Sequence, residues 1–224
     1  MQVYLSITFP KQIWALISNS GGEPMSHDTW IHKLSRATIV RPLLGTGVTP
    51  NHLTTFRLGT GLAASGLIAV GSQTAMDIGA GLFVLSIILD RADGDLARQI
   101  HKQSELGHRY DLIADGLCNI TIFLALGFAL RGSSYGYFAP LMGIIAGLAV
   151  AGILAYAIYL EKQAGPRSGE IGSRFGFDPD DAILIVPATI WFGWTEQLLL
   201  AAAIGAPLFA IFYFLYFRIP RNIH

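Results

Sequence analysis

Six stretches of this chain are long and apolar enough to cross a bilayer, and that leaves few folds open to it. A helical crossing takes about 20 residues at a rise of about 1.5 Å each. Hydropathy places the crossings near 51–71, 75–100, 106–131, 138–160, 179–195 and 196–217. Composition agrees, because only 13% of the residues are charged, against about a quarter in an average soluble domain. The expectation is an all-α integral membrane protein with six transmembrane helices. Two of the crossings are unusual. Only Ala75 to Leu89 of the second is mainly apolar, and its charged stretch continues in helical register to Gln99. The third begins charged at Gly107 and turns apolar only after Asp115. Both therefore carry acids to the hydrocarbon edge.

Charge counting orients the bundle. Lys11, Lys33, Arg36, Arg41, Lys102, Lys162, Arg167, Arg174, Arg218 and Arg221 all fall on the side of the N-terminus, and Arg131 alone falls opposite. Cytoplasmic loops carry the excess of Lys and Arg. The expected location is a bacterial cytoplasmic membrane, with the N-terminus and the acidic ends of the second and third spans on the cytoplasmic side. A formal net charge of +0 gives no reason to expect nucleic acid as a partner. One cysteine, Cys118, excludes a disulfide framework, and the six histidines lack zinc-ligand spacing.

Ahead of the first span, Asp28 to Arg41 reads as an amphipathic interfacial helix. Trp30, Ile31, Leu34, Ala37 and Thr38 share one face, Lys33 and Arg36 flank it, and Pro42 is expected to end it. An irregular lead-in is the plainer alternative. Met25 offers a second start site, so residues 1–24 are set apart as an N-terminal extension of open status. Residues 25–224 read as one membrane domain.

Chemistry concentrates at Asp90, Asp93, Gly94, Ala97 and Arg98 on the second span and at Gly107, Asp111 and Asp115 on the third. At about 100° per residue, Asp90, Asp93, Gly94 and Ala97 share one helical face, as do Gly107, Asp111 and Asp115. Asp95 lies off that face. A short turn at 99–106 makes the two helices antiparallel neighbours whose acidic faces can meet. Four carboxylates gathered at a membrane edge need cations or raised pKa values to coexist. Hard divalent ions, Mg²⁺ or Mn²⁺, suit an all-oxygen shell, and a pair of them stabilises both oxygens of an in-line displacement. Gly94, Ala97 and Gly107 leave room for a ligand, and Arg98 has the fork to hold a phosphate. The competing view is that the acids cap helix ends or pair with Arg91, Arg98 and Arg109.

These residues fit D-x2-D-G-x2-A-R-x8-G-x3-D-x3-D at every fixed position, from Asp90 to Asp115. The pattern resembles the signature of the class I CDP-alcohol phosphatidyltransferases. Pro50-Asn51-His52-Leu53-Thr54 more weakly resembles that family's lead into its first span. The resemblance implies that Asp90, Asp93 and Asp111 are the main ligands of two metal ions. It implies that Asp115 is the general base and a further contact to metal. Gly94, Ala97, Arg98 and Gly107, with Asn51 and Thr54, would line the substrate site. The implied reaction moves a substituted phosphate from a CDP-alcohol, usually CDP-diacylglycerol, to an alcohol acceptor in phospholipid biosynthesis, with release of CMP. The resemblance also implies a homodimer.

The acceptor is less defined. Arg167 and Arg174, in the 161–178 loop, suit either acceptor recognition or simple anchoring. Gly172-Ser173-Arg174-Phe175-Gly176 departs from the Gly-Lys and Lys-Thr run of relatives that take phosphorylated alcohols. Asp178-Pro179-Asp180-Asp181 reads as a helix start. Arg57, inside the first span, either faces the acids or snorkels. Three alternatives remain: transfer from a soluble donor such as CDP-inositol, an aspartate-rich membrane prenyltransferase, and a divalent-cation carrier. The carrier needs a polar path beyond Asp115, where Asn119 and Thr121 look isolated.

Overall fold

The computed structural model describes residues 35–165 and 183–218, and among these all regular structure is helical. The helices are α1 (Pro50–Val70), α2 (Gln73–Gln99), α3 (Glu105–Ala129), α4 (Phe138–Ala164), α5 (Ile185–Trp191) and α6 (Thr195–Arg218). A 3₁₀ turn, Leu130–Gly132, extends α3. Residues 1–34, Arg167, Arg174 and the 178–181 run lie outside the described residues.

Among the described residues, four helices are long and apolar enough to cross a membrane: α1, α3 with its 3₁₀ extension, α4 and α6. The predicted second crossing is the 27-residue α2, which carries its charged half in unbroken helix to Gln99. The predicted fifth crossing, 179–195, is described only from residue 183 onward. There the helix runs only from Ile185 to Trp191. Gly193, at φ +72°, turns the chain, and the Trp194 amide closes back on the Thr189 carbonyl at 2.8 Å. That left-handed backbone suits glycine and ends the helix before the predicted boundary.

Local chemistry explains where α1 and α3 begin. Thr49 caps α1 by accepting from the His52 amide, His52 Nδ1 accepts from the Thr49 amide in return, and Pro50 fills the first turn. Such a cap is worth about 1 kcal/mol. Ser104 caps α3 by accepting from the Gly107 amide at 3.0 Å. The link from α1 to α2 is only Gly71 and Ser72. Gly71 adopts φ +81°, and a Cβ there would stand 2.9 Å from the Ala129 carbonyl oxygen.

The lead-in departs from expectation at its end. A π turn, Arg36–Val40, passes into an α turn, Arg41–Leu43, so Pro42 lies inside the helical run. The Arg41 amide bonds the Arg36 carbonyl in π register. Pro42 lacks the amide that would continue that register, and the chain returns to an α turn before Leu44 extends. Val40 packs with Leu53, Leu89, Ala92 and Leu96, whereas Ala37 and Thr38 face away from the protein.

Helix α1 is the centre of the bundle. It packs along both α2 and α3, whose own backbones stay apart. The acidic faces of α2 and α3 nevertheless meet through their side chains, as the spacing predicted. Gly61 explains the separation of the backbones: a Cβ there would meet Cys118 of α3 and stand 3.0 Å from Ser86 Oγ of α2, so α1 sinks between the two. The apolar core continues through Ala64, Ile68, Phe83, Ile122 and Leu126. Helix α4 packs on α3 and α6, and α5 on α2.

Candidate metal centre and active site

The wedge of α1 leaves a cleft between α2 and α3 at their charged ends, and the acids face one another across it. Asp90 and Asp93 come from α2 and Asp111 from α3. Each offers a carboxylate oxygen, all within 4.8 Å of one another. Asp93 is buried, and Asp90 and Asp111 are half-buried. Asp115 stands one turn further along α3, half-exposed. The spacing read from the sequence thus brings Asp90, Asp93 and Asp111 together, with Asp115 beside them. Asp95 is outside the cluster, as its helical angle requires. It is buried against Arg36 Nε at 3.1 Å and Arg98 Nη2 at 2.5 Å.

Helix α1 supplies what sequence reasoning underrated. Arg57 is 2% exposed, two turns inside α1, and its guanidinium faces the cluster rather than snorkelling. Its Nη1 lies 2.6 Å from Asp90 Oδ1 and 2.7 Å from Asp111 Oδ1, and Nη2 donates to Asp115 Oδ1 at 2.9 Å. Thr54, one turn earlier, donates to Asp93 Oδ2 at 2.7 Å. The local signal was present: an arginine inside an apolar span, on the same face as a threonine three residues before it.

The other predicted residues are placed as follows. Arg98 folds back along α2, so a Cβ at Gly94 would lie 3.7 Å from its guanidinium nitrogens. Ala97 is half-buried on the same helix. Gly107 faces Ser104 Oγ and Asn51 Oδ1, which a Cβ would approach to 2.9 and 3.3 Å. Its lack of a side chain lets the start of α1 meet the cap of α3. Arg109 pairs with Glu105 rather than with the cluster, and Arg91 reaches Asp90 only at 3.5 Å. Asn119 and Thr121 are not isolated. Asn119 donates to both oxygens of Asp115 at 3.3 Å, and Thr121 Oγ1 accepts from Ser65 at 3.1 Å. His108 Nε2 meets Glu161 Oε1 of α4 at 2.9 Å, beside the cleft.

Three carboxylates converging from two helices, with no sulfur or imidazole among them, make an all-oxygen donor set suited to a hard divalent cation. Asp90, Asp93 and Asp111 fit such an ion. A carboxylate next to them, restrained by an arginine and an asparagine, is suited to accept a proton from a substrate held at the ion.

Comparison with known proteins agrees with this geometry. The family model described as CDP-alcohol phosphatidyltransferase matches residues 47–204, from the turn before α1 into α6. The chain is also similar to the protein named Bifunctional IPC transferase and DIPP synthase of Thermococcus kodakarensis. The two are 32% identical over 117 residues, 51% of this chain and 26% of that protein's length. The match spans all four aspartates and most of the helices around them, and the chain belongs to the CDP-alcohol phosphatidyltransferase family.

Proposed function

We propose that the chain transfers a substituted phosphate from a CDP-alcohol to an alcohol acceptor with release of CMP, at the cleft between α2 and α3. The observation that carries this reading is the convergence of Asp90, Asp93 and Asp111 within 4.8 Å beside Asp115. Asp90, Asp93 and Asp111, with Asp115 beside them, would hold the metal, Mg²⁺ or Mn²⁺. When bound, two such ions neutralise the phosphate oxygens and the charge that builds on the leaving group.

The residues of the chain do the rest. Asp115, held by Arg57 and Asn119, takes the acceptor hydroxyl proton. The hydroxyl oxygen forms a bond to the phosphorus that carries the donor's alcohol. The bond from that phosphorus to the CMP oxygen breaks, and CMP departs with the electron pair. Gly94, Ala97, Arg98, Gly107, Asn51 and Thr54 border the donor, and Arg174 is assigned to the acceptor.

The donor is read as CDP-diacylglycerol, which places the reaction in phospholipid biosynthesis with the donor's acyl chains in the bilayer. The relative with IPC transferase activity in its name favours a second reading, in which the donor is a soluble CDP-alcohol such as CDP-inositol. The remainder of the assignment is six crossings, a cytoplasmic site and a homodimer. Cys118 is buried, so single cysteines placed at Lys162 and Ser134 report sidedness without background. Labelling of Ser134→Cys alone from outside intact cells is expected; labelling of Lys162→Cys alone reverses the orientation.

The experiment is CMP release by purified protein in detergent with Mg²⁺ or Mn²⁺. CDP-diacylglycerol and CDP-inositol are compared as donors, against serine, inositol phosphate, glycerol phosphate and choline. Release that needs one donor and one acceptor names the substrates. Absence of release with every pair contradicts the reading.

A further inference from the structure

Helix α1 carries no acid of the cluster, yet it touches all four acids. Arg57 takes Oδ1 of Asp90, Asp111 and Asp115, and Thr54 takes Oδ2 of Asp93. One oxygen on each carboxylate is thereby turned toward α1, which sets the direction in which the second oxygen points. A guanidinium can do this for three acids at once because its five N–H donors lie in a fixed planar fork, whereas an ammonium is a single point of charge. The fork is itself held from behind. Ser86 Oγ of α2 donates to the Arg57 carbonyl at 3.0 Å, and Gly61, one turn on, is packed against Cys118 and Ser86. Neither rotation nor sliding of α1 is possible without breaking these contacts.

We propose that Thr54 and Arg57 form an orienting clamp, in which Arg57 is the built-in counter-cation that keeps the four aspartates assembled when no metal is bound. Arg57 is a positioning residue: it acts through the carboxylates and not on the substrate. The inference rests on the reading that Asp90, Asp93 and Asp111 hold a divalent ion. It has a consequence for metal binding. With Arg57 present, the acids of the metal-free protein are already partly neutralised, so an arriving ion relieves less repulsion. With Arg57 removed, the acids repel one another until the ion arrives, and the ion then stabilises the fold by more. Binding to the native state alone raises its stability by mass action, so the difference is read as a larger metal-induced thermal shift.

The test compares thermal unfolding of the full chain in detergent, with chelator and with Mg²⁺, for wild type, Arg57→Gln and Arg57→Lys. In chelator, Arg57→Gln is expected to melt about 10 °C below wild type, because an uncompensated acidic cluster remains. Its upward shift with Mg²⁺ should exceed that of wild type. Arg57→Lys keeps the charge but loses the fork. It should retain most of the metal-free stability while turnover falls, through kcat more than KM. Equal melting of Arg57→Gln and wild type in chelator, or equal shifts with Mg²⁺, would overturn the proposal. A wild type that shifts with no divalent ion would instead overturn the metal reading on which it rests. Should Arg57→Gln fail to fold, Arg57→Lys decides: turnover equal to wild type would overturn the clamp.

Discussion

Helices α1 and α3 bury 39% and 44% of their most apolar stretches within the protein, whereas α4 and α6 bury 17% each. Length does not separate the two pairs, but mean hydropathy does, at 1.3 and 1.9 against 2.3 and 2.3. The difference lies in what each helix must hold. The α1–α3 half packs around ionisable side chains, and its surfaces are committed to one another at Gly61, Ser86 and Cys118. The α4–α6 half turns Leu141, Ile144, Leu148, Ile204, Leu208 and Ile211 outward, as helices do whose main neighbour is lipid. A site that gathers four acids needs protein on several sides, because lipid can satisfy none of them.

The comparison breaks most readily at the acids. Asp115→Asn removes the proton acceptor while keeping shape, and CMP release should fall by about 10²–10⁴-fold with thermal stability little changed. A variant with wild-type turnover would remove Asp115 from the mechanism. Next in size is packing between the halves. A Cβ at Gly127 of α3 would stand 2.7 Å from the Ala139 carbonyl and 2.9 Å from the Gly143 Cα of α4. Gly127→Leu should therefore cost about 1–3 kcal/mol or more, seen as a lower melting temperature. Unchanged melting would mean that α3 and α4 do not cross this closely.

A smaller effect belongs to the clamp. Thr54→Val keeps volume but leaves Asp93 Oδ2 without its 2.7 Å donor, and an unsatisfied buried acceptor costs about 1–3 kcal/mol. Melting in chelator should report that loss, and Thr54→Ser should restore it. The smallest effect sharpens the contrast from the other half. Leu208→Ala on the outward face of α6 should change stability by about 0.5 kcal/mol or less and leave CMP release as it was. A large loss of stability there would show that this face has a protein partner.

Much of this was legible in the sequence, and the reason is periodicity. The aspartates fall at spacings of three and four within helices that hydropathy already marks, so their shared faces follow from the turn per residue. Cap residues at Thr49-Pro50 and Ser104 also stand in the sequence, although hydropathy alone set the expected starts. Arg57 was visible as an anomaly but not as the hub. Its role depends on α1 wedging between α2 and α3, which the short turn at 99–106 does not reveal. That wedge is a tertiary outcome of Gly61 meeting Ser86 and Cys118, residues 25 and 57 positions away. Thr121 looked isolated for a similar reason, its partner Ser65 lying on another helix, whereas Asn119 bonds Asp115 one turn back on its own helix. The C-terminal bound of the fifth crossing was less legible, because Gly193 in a left-handed conformation ends the described helix at Trp191, short of the expected residue 195.

The central claim is that Asp90, Asp93 and Asp111 form a divalent-metal centre. Manganese binding to the purified protein, followed by electron paramagnetic resonance, tests it most directly. The expected result is saturable Mn²⁺ binding by wild type, displaced by Mg²⁺, and lost or strongly weakened in Asp93→Asn with helicity intact. Binding that is absent from folded wild type, or equally tight in Asp93→Asn, would contradict it.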